Sequence, residues 1–460
     1  MNNDGMLSSF KIRGTNMTKV VHVTAHLGGG AGKAISGLVK CLKEYDPSFD
    51  HRIIVLERPE KEQFVKRCIE NGIDVTFIDN TLEINHYLID ADIVILNWWH
   101  HPKVAELLLK FPPIPVRLVL WSHINGCTYP FLSYEFAAKY KHIMFTCLYS
   151  FDNPLWNDKQ REQVMEFSSL VYGMGEFDAK KIKCKIDYCI DKRFSIGYVG
   201  TLNYSKLSKQ FVKICEKIYK RVPNTEFILV GEPDQKLLQD INNSICTKNF
   251  KITGYLEDVS DISLTFDVFG YPLNSDNFAT TENSILEAMA RALPVVAFKQ
   301  GTEQYIIKDG ETGFLATDVE QYVDIIEHLY KNLNERKRIG VNARLHVVKK
   351  YSLVDNVGRF HKVCNGVIDD DKQIINFSDV IGYEPYEVFL SSLGIYSEVF
   401  LNIINRQRLE DLVNTSLKEW VDSLPDILKG KTKGSVEHFY SHFKNDNVLR
   451  RWFEIIQKYK

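Results

Sequence analysis

Short apolar runs alternate with amphipathic stretches between residue 18 and about residue 171. The runs at 19–24, 52–56, 75–78, 92–97, 116–121 and 142–147 are rich in Val, Ile and Leu and too continuous for a half-exposed sheet. Such runs predict parallel strands covered on both faces. The stretches at 34–45, 61–71 and 103–110 read as helices between them, so the pattern predicts a doubly wound α/β domain. A polar stretch over 173–193 interrupts the alternation, which then restarts. Strands are predicted at 194–199, 226–230, 250–252, 266–271, 294–298 and 313–316, and helices at 206–220, 235–243, 283–291, 319–332 and 335–350. We place a flexible N-terminus over 1–17, a first Rossmann-like domain over 18–185 and a second over 186–352. The cleft between two such domains is the natural ligand site.

From about residue 353 the strand signals fade. Helical patterns at 384–392, 397–406, 409–424, 436–444 and 448–458 follow a crossover helix and define an appended helical module over 353–460. The loop LKGKTKGS, from Leu428 to Ser435, precedes the last two. Tyr386, Phe389, Phe400, Trp420, Phe439, Trp452 and Phe453 read as core of this module. His438 and His442 lie four apart on one helix without an HExxH motif and read as solvent-exposed.

Composition removes several function classes. The 460 residues carry 57 Lys+Arg against 59 Asp+Glu, a formal net charge of −2 that gives no footprint for a nucleic-acid binder. The nine cysteines, at 41, 68, 127, 147, 184, 189, 215, 246 and 364, form no CxxC, so neither a disulfide framework nor a zinc site is supported. Reduced thiols in a cytosolic protein are the expectation. The first residues lack an apolar core of the secretory type, and no apolar run reaches about 18 residues, so neither a signal peptide nor a transmembrane helix is expected. Met17 is a candidate alternative start.

The first predicted strand runs into HLGGGAGKA, where Gly28, Gly29 and Gly30 precede a helix. Such a turn lets backbone N–H groups approach an anion at the positive end of the helix. The stretch matches neither a Walker A loop, because Gly28 is one residue too close and Ala34 follows Lys33, nor GxGxxG. A phosphate-facing loop and a purely structural turn both remain open. His100, His101 and His123 follow predicted strands at the edge where open α/β sheets bind ligands. In IGYVGTLNYSKL, Gly200 and Thr201 close a strand and Lys206 opens the predicted helix, from which its ammonium could reach a diphosphate. Around Thr281, Glu282, Asn283 and Ser284 a polar loop becomes a helix whose N–H groups can hold phosphate oxygens, and Glu287 one turn later can accept from ribose hydroxyls.

The run LEAMARALPVVAFKQGTEQYIIKDGETGFL resembles the signature of family 4 glycosyltransferases, and GYVGTLNYSK, FILVGEP and ITGYLEDV precede it at the expected intervals. The resemblance spans about residues 18–366. It implies a GT-B fold, with two Rossmann-like domains facing a cleft, and a metal-independent, retaining hexosyltransferase without cofactor. A nucleotide-diphosphate sugar would be held by the second domain, and a glycan or lipid-linked acceptor by the first. Position by position, Glu287 matches the ribose-binding glutamate, Lys206 the diphosphate lysine, Gly28–Gly30 the glycine loop and His123 the histidine near the donor sugar. Gly254, Tyr255 and Leu256, in the stretch to Val259, would frame the nucleobase. Ala279 stands where the family often has a glutamate, which Glu282 or Asp276 could replace, and Thr201 stands where it often has an arginine. His123, Lys206 and Glu282 are therefore the expected catalytic residues. The expected setting is cytoplasmic, with peripheral membrane association and oligomeric state left open. A non-catalytic nucleotide- or glycan-binding protein and a sugar-nucleotide epimerase are the alternatives.

Overall fold

The computed structural model describes residues 17–185, 193–405 and 414–460. The expectations for residues 1–16, for Cys189, for the 185/186 boundary on its downstream side, for the end of the helix at Arg406 and for a helix start at Leu409 lie outside the described residues.

The first sheet has seven parallel strands: β1 (Thr18–Thr24), β2 (Phe49–Val55), β3 (Asp74–Phe77), β4 (Ile93–Trp98), β5 (Leu118–Ser122), β6 (His142–Phe145) and β7 (Ser168–Leu170), in the order 3-2-1-4-5-6-7. The continuous apolar runs form β1 to β6. The added β7, SSL, is too short and polar to carry a period of its own. The second sheet has six: β8 (Phe194–Val199), β9 (Thr225–Val230), β10 (Phe250–Ile252), β11 (Val268–Tyr271), β12 (Val295–Phe298) and β13 (Phe314–Ala316), in the order 10-9-8-11-12-13. Two parallel, doubly wound sheets of this kind, with a C-terminal helical region, make up the fold. In β8 only glycine fits at 197, because an added Cβ would lie 2.1 Å from the Phe266 ring.

Alternate residues of β4 and β5 serve opposite faces of the first sheet, as strand geometry requires. Ile95, Val119 and Trp121 join the helices Gly29–Tyr45 and Leu353–Val367. Phe360 of the second helix stacks on His22 of β1 at 5.9 Å and meets Trp121 edge-on at 5.5 Å. On the other face Leu96, Trp98 and Leu120 share one core with Phe389, Phe400, Trp420, Phe439 and Trp452 of the appended helices. The C-terminal segment thus covers one face of the first domain.

Two local expectations are corrected. The helix expected from Lys206 begins at Phe211. The Asn203 side chain accepts from the N–H groups of Ser205 and Lys206, a local turn that competes with helix, so Lys206 stands in a loop. His438 and His442 are half-buried against the first domain rather than solvent-exposed, His442 lying 3.0 Å from a Glu106 carboxylate oxygen. Their helix, Val436–His442, packs on the end of β4, a neighbour that spacing alone does not reveal.

Because Trp452 is fully buried in the shared core, Trp452→Ala is expected to lower stability by about 3–5 kcal/mol. Urea unfolding of the full chain measures it, and a change within experimental error would show that the appended helices are not part of the first domain's core.

Candidate functional site

Each sheet has one place where its strand order reverses, between β1 and β4 in the first and between β8 and β11 in the second. The crevice beyond the strand ends at such a point is where open α/β sheets bind ligands. Hydrogen bonds tie the two strand-end regions together across the groove. Asn125 donates from its amide to the carbonyls of Asn277 (3.1 Å) and Ala279 (3.2 Å). The Thr281 hydroxyl accepts from the Gly173 N–H (2.8 Å) and donates to the Thr146 carbonyl (3.2 Å). Lys33 reaches from the glycine-loop helix to Glu287 at 2.7 Å.

On the first-domain side Gly28 is the N-cap of the helix Gly29–Tyr45, whose N-terminus no side chain caps. Gly29 has φ +59°, a left-handed conformation that glycine adopts without strain. His123 follows β5, and its Nε2 lies 3.1 Å from Asn97 Oδ1. Asn97 already donates from Nδ2 to the Val23 carbonyl, so Oδ1 accepts and Nε2 of His123 carries the proton. Burial beside Trp121 pushes this imidazole down to about 3 and keeps it neutral.

On the second-domain side Lys206 follows β8, and its ammonium lies 3.3 Å from Glu282 Oε2. Glu282 has φ +46° and is buried; it also accepts from the Tyr271 hydroxyl (2.6 Å) and the Asn277 amide (3.0 Å). Glu303, beyond β12, is buried too, and burial together with the neighbouring Glu282 charge pushes its carboxyl up to about 8. Its Oε1 has no hydrogen-bond partner among the described residues. The result is one ammonium beside two carboxylates, one of which holds its proton at neutral pH.

The helix Asn283–Ala290 opens after Glu282 with no side chain capping it. Glu287 lines a pocket with Val199, Val259, Ser284 and Arg291. Of the stretch from Gly254 to Val259, only Val259 lines that pocket. Gly254 uses its carbonyl to accept from Gly231 N–H, and the half-exposed Tyr255 ring meets the Lys61 ammonium of the first domain at 3.9 Å. The side chains of Thr281 and Asn283 are committed to the first domain, the Asn283 amide donating to the Gly173 carbonyl. Gly200 and Thr201 stand at the end of β8, where the Thr201 carbonyl accepts from the Tyr198 hydroxyl. Sequence reasoning assigned no role to Lys33, Asn97, Tyr271, Asn277 or Glu303. Glu303 lay within the quoted signature, but the carboxylate it faces is twenty-one positions away.

Residues 193–332 match the family model "Glycosyl transferases group 1". Over that stretch the second domain is similar to the group 1 glycosyltransferases. The capsular polysaccharide biosynthesis glycosyltransferase CapM of Staphylococcus aureus is 26% identical over 183 residues, 38% of this chain and 47% of CapM. A trehalose synthase of Pyrococcus horikoshii is 24% identical over 170 residues, 34% of this chain and 40% of that protein. The trehalose synthase of Thermococcus litoralis is 22% identical over 402 residues, 79% of this chain and 94% of the relative. Among solved structures, Anabaena HepE in complex with UDP and glucose is similar at a TM-score of 0.60 and 15% identity, covering 76% of this chain and all of HepE. TarM of S. aureus is similar at 0.60 and 13%, covering 76% and 100%. These likenesses carry the GT-B fold.

In this domain the position occupied by Ala279 contributes a carbonyl to the interdomain contact, and Glu282 is the carboxylate the loop sends toward Lys206.

Glu303 also governs a pH dependence. Its folded carboxyl is raised from 4.5 to about 8, so between those values the folded state binds the proton and the unfolded state does not. Stability contributed by this group is lost as pH rises through that window. Glu303→Gln is expected to flatten the fall in thermal midpoint between pH 5 and pH 8. An unchanged slope would show that Glu303 is ionised in the folded protein.

Proposed function

We propose that the protein is a retaining glycosyltransferase that moves a sugar from a nucleotide-diphosphate sugar to a hydroxyl of a glycan or lipid-linked acceptor, without a metal. The observation that carries this reading is the convergence of Lys206, the uncapped helix start at Asn283 and the Glu287 pocket at the second switch point, opposite the glycine loop. The ammonium and the helix N–H groups would neutralise the departing diphosphate as the sugar–oxygen bond breaks, a stabilisation that acts where charge develops. Glu287 would exchange its ion pair with Lys33 for ribose hydroxyls. The proton on Glu303 makes it a donor toward the sugar, and the unprotonated Nδ1 of His123 an acceptor for a sugar hydroxyl. HepE, of similar fold, is seen in complex with UDP and glucose, which makes a uridine diphosphate sugar the first donor to try. No helix among the described residues is long and apolar enough to cross a membrane, and action on the cytoplasmic side, at or away from its surface, belongs to the proposal.

A non-catalytic, nucleotide-binding role is the second reading, favoured by Ala279 and Thr201. Turnover separates the two.

With a panel of UDP-sugars, Lys206→Ala is expected to lower kcat about 10²–10³-fold, the loss typical of one transition-state donor. Glu287→Ala is expected to act mainly through the KM for donor. Turnover by both variants at the parent's rate would overturn the site, and nucleotide binding without turnover on any acceptor would favour the second reading.

A further inference from the structure

The switch point of the first sheet holds a second cluster. His26 follows β1 and His101 follows β4; they are 5% and 1% exposed. Their rings meet edge-on at 5.4 Å, and the His438 ring of the appended helices meets His101 at 4.8 Å. Lys433, from the loop that precedes the helix Val436–His442, places its ammonium 2.7 Å from His26 Nε2.

The hydrogen bonds fix which atoms carry protons. Backbone N–H groups only donate, so Nδ1 of His26 accepts from Gly28 (3.1 Å), Nδ1 of His101 from Lys103 (3.2 Å) and Nδ1 of His438 from Gly434 (2.9 Å). In each neutral ring the proton is then on Nε2. An ammonium has three donors and no acceptor. The cluster therefore presents three imidazole N–H donors and an ammonium, with His26 and Lys433 facing each other donor to donor. Nε2 of His101 has no partner among the described residues. The charged neighbours that act on these rings are Lys433 and other histidines, all of which hold them neutral together with burial. The carboxylate nearby, Glu106, is engaged by His442, Lys103 and Lys110 instead. Buried donors without an acceptor are costly, and an oxyanion supplies what they lack.

We propose that His26, His101, His438 and Lys433 form a binding site for a phosphate-class anion, built jointly by the first-domain crevice and the appended helices. The site adjoins the glycine loop, because Gly28 is the residue whose N–H fixes His26. The anion has two chemical sources, a phosphate carried by the acceptor or the diphosphate of the donor. Assigning either source rests on the glycosyltransferase reading, whereas anion binding itself does not.

Ring-labelled histidines in the full chain, followed by NMR during titration with inorganic pyrophosphate, test the site without requiring sugar transfer. Saturable movement of the His26, His101 and His438 signals is expected. It should be about tenfold weaker in Lys433→Ala and restored in Lys433→Arg, as loss and return of a charge-assisted hydrogen bond predict. Lys433 is exposed, so these variants leave the core intact. Movement of the same signals by UDP supports the site and assigns the anion to the donor. Signals that respond to pyrophosphate and not to UDP support it and assign the anion to the acceptor. Signals unmoved by pyrophosphate, moved equally in Lys433→Ala, or moved only by zinc would overturn the proposal.

Discussion

Thr281 and Asn125 hold the two sheets end to end. Each spans the groove with hydrogen bonds to backbone of the opposite domain, and the ion pair between Lys33 and Glu287 closes the same gap. Parallel strands gather their C-terminal loops at one edge, so joining the two edges sets the loops after β5, β6 and β7 against the loop after β11. Everything assigned to ligand binding depends on that constraint. Neither the glycine loop nor the helix start at Asn283 is capped by a side chain, and each is placed opposite the other domain.

Electrostatics then divides the groove in two. The second-domain half combines Lys206 with Glu282 and a protonated Glu303. The first-domain half carries neutral, donor-presenting imidazoles and the Lys433 ammonium. The appended helices shape that second half as well as filling the core, since Phe439 stacks on His100 at 4.4 Å while His438 on the same helix meets His101. Covering the sheet and completing its crevice are one structural act.

Much of the architecture was legible in the sequence because buried parallel strands write continuous apolar runs. The strand β7 was not, being both short and polar with two serines in three residues. Lys206 was found from its place after a strand, but its loop was read as helix because the competing Asn203 turn has no periodic signature. Glu282 and Lys206 were both singled out, while the contact between them arises only when β8 and β11 lie side by side. Glu303 depends in the same way on a partner brought near by tertiary structure. His438 was misread because helical spacing shows which residues share a face and not what that face packs against.

Amide hydrogen exchange of the full chain with and without UDP tests the central claim, that a nucleoside diphosphate lies between the two strand-end edges. The account predicts added protection in the glycine loop at 28–33, at 200–206 and at 282–287 together, with the far edges at β3 and β10 unchanged. Protection confined to one domain, or lying away from all three segments, would contradict it.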